Sequence, residues 1–103
     1  MEKGLIAEVG INKTGRLYIV PSSHKFPYIY REAMEVHWDA KDNFLYSPVP
    51  REWTYLDWFK QIINAAQEQG CNLVLSNTTK WRDVPEPLKQ SIHKWNEEYY
   101  SNL

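Results

Sequence analysis

The sequence predicts an α+β fold: a mainly antiparallel sheet of about five strands, in the order ββββαβα, with two helices packed on one face. Three observations predict it. Period-2 apolar alternation fills the first half of the chain, two capped stripes at helical spacing fill the second, and consecutive hairpins precede the helical part. A chain of 103 residues supports a single domain over residues 1–103 with its own core.

Leu5, Ala7, Val9 and Ile11 alternate with Ile6, Glu8, Gly10 and Asn12, the pattern of a strand with one buried face. Lys13-Thr14-Gly15 then forms a three-residue loop with Gly15 left-handed, placing Ile11 opposite Leu17 and Val9 opposite Ile19. A four-residue loop would oppose Ile11 to Arg16 and split the apolar sets between faces. The second strand ends near Pro21. Residues 21–27, with two prolines and paired serines, read as a loop. Met34, Val36 and Trp38 alternate with Glu35, His37 and Asp39, and a turn around Lys41-Asp42 sets Trp38 opposite Leu45 and His37 opposite Tyr46. Pro48 and Pro50 end this second hairpin, because proline cannot donate to the ladder.

Thr54 with Asp57 three residues on predicts a capped helix start, and Trp53 and Trp58 are spaced to staple its entry. Leu56, Phe59, Ile62, Ile63 and Ala66 repeat at helical spacing up to Gly70. Cys71-Asn72-Leu73-Val74-Leu75-Ser76 reads as an inner strand, able to pair parallel to another through a crossover. A polar connection over residues 77–80 leads to Trp81. Asp83 and Glu86 have the spacing of a second cap pair around Pro85 and Pro87. Leu88, Ile92, Trp95 and Tyr99 form the stripe of a terminal helix.

Twelve basic and thirteen acidic side chains give a formal charge of -1, without long runs of either sign. Such a balance lacks the footprint of a nucleic-acid or membrane-surface binder. The lone Cys71 cannot form an internal disulfide, and the alternating start of the chain is unlike a signal peptide, so a cytoplasmic protein is expected. No stretch of ~18 apolar residues spans a bilayer.

Chemistry-bearing clusters are few. Glu35, His37 and Tyr46 are the candidate catalytic group: a carboxylate beside His37 could tune it for proton transfer, with Tyr46 across the hairpin. The plainer reading is a solvated sheet face. His24, His37 and His93 lack the short spacing of zinc ligands, so no metal is expected. Cys71, at the start of an apolar strand, reads as a small buried hydrophobe, and His93 as riding the wet side of the last helix. Gly4, Gly10, Gly15 and Gly70 form no phosphate cradle, and no cofactor is expected.

The aromatic content is the outstanding feature: five Trp, seven Tyr and three Phe exceed what one small core hides. Trp38, Phe59 and Trp95 fall on apolar stripes. Tyr28, Tyr30, Trp53, Tyr55, Trp81 and Tyr100 sit in loops, at element ends or beside the stripes. With Arg31, Arg51 and Arg82 they match the composition of an interface centre. Tyr28, Tyr30, Arg31, Trp53 and Trp81 are therefore the expected binding residues, contacting a protein partner, a second copy of the chain included. The alternative is an aromatic pocket between sheet and helix holding an organic cation or apolar ligand, each ring contributing ~0.5–2 kcal/mol to a cation. A small enzyme using Glu35, His37 and Tyr46 is the third reading.

The stretches Tyr30-Arg31-Glu32-Ala33-Met34-Glu35-Val36-His37-Trp38-Asp39 and Pro50-Arg51-Glu52-Trp53-Thr54-Tyr55-Leu56-Asp57-Trp58-Phe59 resemble short bacterial proteins of mobile gene cassettes, integron cassettes included, and of toxin–immunity loci. The resemblance carries no catalytic residues. It implies a compact accessory protein whose role is to bind something.

Overall fold

A computed structural model of the chain describes residues 2–29 and 35–101. Tyr30, Arg31 and Met34 lie outside the described residues, so the part of Tyr30 and Arg31 in the expected contact surface and of Met34 in the third strand is not placed.

The elements run β1 (Glu2–Ile11), β2 (Leu17–Pro21), β3 (His37–Asp39), β4 (Phe44–Tyr46), α1 (Tyr55–Glu68), β5 (Cys71–Val74), β6 (Lys80–Arg82) and α2 (Glu86–Ser101). Among the described residues the sheet order is β3-β4-β2-β1-β5, with β6 also on β1. Pairs β1·β2, β2·β4 and β3·β4 are antiparallel, and β1·β5 and β1·β6 are parallel. The fold is thus α+β and mainly antiparallel, with one strand more than the sequence pattern announces.

Both hairpin registers are as expected. Ile11 pairs with Leu17 and Val9 with Ile19, and Gly15 takes φ +86° in the loop. Asn12 organises that loop: its Oδ1 accepts from the Thr14 and Arg16 backbone N–H groups, each at 3.0 Å. His37, Trp38 and Asp39 oppose Tyr46, Leu45 and Phe44, and Asp39 Oδ1 closes the turn by accepting from the Lys41 and Asp42 N–H groups at 2.9 Å. The third strand is shorter than the alternation suggests. Glu35 has φ +69° and leaves the strand, while Val36 is already in the core.

The first strand also departs from strict alternation. A register shift between Ile6 and Glu8 switches the buried set, so Ile6 and Val9 are enclosed while Leu5 is 46% exposed. Such a bulge puts two neighbouring side chains toward the same face.

The core joins Ile6, Val9, Leu17, Ile19, Leu45, Cys71 and Leu73 of the sheet to Phe59, Ile62, Ile63 and Ala66 of α1 and Ile92 of α2. Both helices therefore lie on one face, and Phe59 meets Trp95 edge-on at 5.9 Å between them. From the loop before β3, Phe26 and Ile29 close the same core, with Trp38 edge-on to Phe26 at 5.8 Å.

Helix α1 starts as its sequence dictates. The Thr54 hydroxyl accepts from the Asp57 N–H at 3.1 Å, and the Asp57 carboxylate accepts from the Thr54 N–H at 3.0 Å. Those bonds hold the Asp57 carboxyl below its ordinary range. Trp53 and Trp58 pack at 4.8 Å as the staple. Helix α2 corrects the expected cap pair: Asp83 has φ +56°, unlike the extended backbone of a cap residue, and the first turn closes from the Lys89 N–H to the Pro85 carbonyl at 3.0 Å.

Candidate functional site

Because side chains alternate along a strand, enclosing Leu17, Ile19, Leu45, Val9 and Trp38 sends their neighbours to the face away from the helices. On that open face the register sets Tyr18 opposite Tyr46, and Tyr46 opposite His37. The rings form a row. Tyr18 is 5.5 Å from Phe44, Phe44 is 5.7 Å from Tyr46, and Tyr46 is 5.3 Å from His37. The Arg16 guanidinium lies 5.9 Å over the Tyr46 ring. His37 is exposed and the other three rings are half-buried.

Gly10 seats one end of the row. It pairs with Tyr18, and a Cβ there would stand 2.4 Å from the Tyr18 ring, so only glycine lets the ring lie flat against the backbone of β1. The Tyr18 hydroxyl donates to Glu8 Oε2 at 2.5 Å. Burial, then the hydrogen bond and negative charge of Glu8, push the Tyr18 phenol up to about 12. It is a neutral donor at any physiological pH. Beyond Tyr18, the register carries Lys80 and Arg82 of β6 onto the same face, opposite Glu8 and Gly10.

The residues singled out for catalysis are only partly brought together. His37 and Tyr46 are in tilted ring contact, but Glu35 faces Arg51 at 3.7 Å in a pair whose side chains are 50% and 82% exposed. The Asp39 carboxylate is engaged by its own turn. The row is a sheet surface, not a cleft around an imidazole.

The expected binding residues have separate neighbourhoods. Tyr28 is 54% exposed in the loop before β3, and Trp53 is 46% exposed against Trp58 at the start of α1. Trp81, in register with the buried Val9, turns to the helix side. There its ring is 5.1 Å from His93 and 5.6 Å from the Lys89 ammonium. His93 is accordingly half-buried between β6 and α2 instead of riding a wet surface. Tyr55 donates to the Gly15 carbonyl at 2.8 Å, tying α1 to the first hairpin.

A second feature was not legible in the sequence. Residues 74–77 and one side of α2 flank an open-sided hollow of about 220 Å³, lined on the helix by His93, Asn96, Glu97 and Tyr100. It exists because β5 and β6 are two pieces on one edge of β1. Leu5 pairs with Val74 and Glu8 with Lys80, so five residues loop out where β1 supplies two. The gap is closed by side chains: the Thr79 hydroxyl donates to the Ile6 carbonyl at 2.7 Å and accepts from the Ser76 N–H at 3.0 Å. Asn96 Oδ1 accepts from the Leu75 N–H at 3.2 Å.

Cys71 is a buried thiol. Among the described residues no group of three or more His, Cys, Asp or Glu side chains is arranged to hold a metal ion, and no helix is long and apolar enough to cross a membrane.

Comparison with known proteins agrees with the resemblance seen in the sequence. Among curated proteins, none matches the chain. A solved structure described as integron cassette protein Hfx_Cass5, from the mobile metagenome of the North West Arm sewage outfall, is 45% identical. The match covers 94% of this chain and 98% of that one, with a TM-score of 0.48. The family model of the integron cassette protein Hfx_Cass5 matches residues 4–79, a span that includes the ring row and ends just before β6. The chain belongs to the Hfx_Cass5 integron cassette protein family.

Proposed function

We propose that this cassette protein is a non-catalytic, cytoplasmic binding protein that engages a protein partner through the open face of its sheet. One observation carries the reading: the run of rings from Tyr18 through Phe44 and Tyr46 to His37, with neighbouring centroids 5.3 to 5.7 Å apart, on the face opposite both helices. Tyr and Arg supply much contact area with few torsions to freeze, which is why they concentrate at interface centres. Arg16, Lys80 and Arg82 stand with Glu8 and Asp39, and this mixed charge suits a protein surface better than a polyphosphate. Tyr28 and Trp53, exposed away from the row, are further contact points in the same reading, whereas Trp81 gives its ring to α2.

The test is retention of a partner. Immobilised protein is challenged with extract of the bacterium carrying the cassette, beside the double variant His37→Ala/Phe44→Ser. A protein retained by the natural chain and lost from the variant, at closely similar thermal stability, is the expected result. Equal retention by both overturns the proposal.

A further inference from the structure

Across β3, β4, β2, β1 and β6, register joins His37, Tyr46, Tyr18, Gly10 and Arg82 into one line over the open face. Two residues along the strands, a second line runs from Asp39 beside Phe44 at one margin to Glu8 beside Lys80 at the other. Strand β2 is the middle of the five. The face therefore carries a carboxylate at its β3 margin, rings in the middle and two cations at its β6 margin.

The groups at the two margins are free to meet something else. Asp39 uses Oδ1 for its own turn, which leaves Oδ2. Glu8, next to Lys80 in register, gives its carboxylate to the Tyr18 hydroxyl, and Lys80 and Arg82 are exposed. Asp83 lies past the end of β6, outside both lines. Leu5, 46% exposed, adds an aliphatic side chain to the open face, because its neighbour Gly4 faces Cys71 and Leu73 of the core.

A face with apolar groups in the middle and opposite charges at its two margins can cover itself. If two copies are related by a two-fold axis parallel to β2, each line lies on its own reverse, as an isologous contact requires. Tyr18 then meets Tyr18 of the second copy, Lys80 meets Asp39, and the Arg82 guanidinium meets the His37 ring, a stacking that arginine favours. The other in-plane two-fold, along the lines, would set Lys80 and Arg82 against themselves, and like charges reject that orientation. The formal charge of -1 puts little repulsion in the way of self-association.

We propose that the occupant of the open face is a second copy of this chain, docked so that Lys80 of each copy meets Asp39 of the other. This rests on the open-face reading and names its partner. The face measures roughly 20 Å across the strands and 15 Å along them, so a pair buries on the order of 1,000 Å², the lower end of stable interfaces. Association is therefore weak, with a Kd of roughly 10–300 µM.

The test is sedimentation equilibrium of the natural chain and of a double-mutant cycle. Lys80→Glu alters an exposed residue, and Asp39→Asn keeps the oxygen that its turn uses, so both variants fold. Lys80→Glu is expected to weaken the pair at least tenfold and Asp39→Asn roughly threefold. In Lys80→Glu/Asp39→Asn the two factors should not multiply, because the new Glu no longer meets a carboxylate. Within one copy these residues stand at opposite margins, roughly 19 Å apart, so such coupling arises only across copies. Factors that multiply, or a chain that stays monomeric to about 1 mM, overturn the inference. A monomer that still retains another protein from the extract, and loses it in His37→Ala/Phe44→Ser, overturns the second copy alone and keeps the open face as a contact surface.

Discussion

On β4, Leu45 is sealed against the helices while its neighbour Tyr46 looks out between Tyr18 and His37. The two sides of this sheet hold rings by different means. On the covered side, Phe59 is fully enclosed and meets Trp95 across the helix pair, so its rings act as volume in a close-packed core. On the open side, rings lean on one another across strands, backed by Gly10 and anchored by Glu8. Removing a ring from the first side leaves a cavity. Removing one from the second leaves water and a smaller contact surface.

The largest expected effect breaks the covered side. Phe59→Ala should cost about 3–5 kcal/mol in urea unfolding, as for other enclosed aromatic side chains, and a loss under about 1 kcal/mol would mean that the helix pair is not packed as described. Next comes the seat of the open row. Gly10→Ala places a methyl where the Tyr18 ring lies and should cost roughly 1–3 kcal/mol. It should also free the phenol from Glu8, so that Tyr18 titrates nearer 10. An unaltered ultraviolet titration in that variant would contradict the seating.

Away from both faces, Thr54→Ala removes the cap of α1 and is expected to cost about 1 kcal/mol. A further effect appears only in alkali. The Tyr18 phenol, near 10 when unfolded and raised to about 12 when folded, contributes stability that is complete below pH 10 and lost as pH rises through 12. Stability measured across that window should therefore fall less in Tyr18→Phe than in the natural chain. An identical slope would remove the Tyr18–Glu8 bond from the account.

Much of this arrangement was written locally. The loop at Gly15, the Asp39 turn and the Thr54 cap each depend on residues within four positions of one another, so both hairpin registers and the start of α1 could be read directly. That register also sets Gly10 opposite Tyr18, the one sequence signal for a ring lying on a strand. What escaped depends on distant partners. Strand β6 has three residues and exists through pairing with β1 and through the Thr79 hydroxyl on the Ile6 carbonyl, 73 positions away. The bulge that exposes Leu5 lies opposite the same gap. In the sequence Trp81 merely follows a polar connection, because the strand that turns it inward exists only through its pairing with β1. The ring row was half legible: Tyr46 across from His37 followed from a hairpin, whereas Tyr18 beside Tyr46 needed the β2·β4 pairing. The helical wall of the hollow lies one step around α2 from the apolar stripe of Ile92, Trp95 and Tyr99, and its polar residues resembled an ordinary wet side.

Leu45 and Tyr46, adjacent in β4 and facing opposite ways, allow the most direct test that the two sides have separate duties. Unfolding free energy and partner affinity are measured for Leu45→Ala and Tyr46→Ser. The expected result is a loss of about 2–5 kcal/mol with the affinity of the folded fraction kept for the first. For the second, stability should change by no more than about 1 kcal/mol while affinity falls at least tenfold. Retained affinity in Tyr46→Ser, or a stability loss matching that of Leu45→Ala, would contradict the assignment of the open face to partner contact.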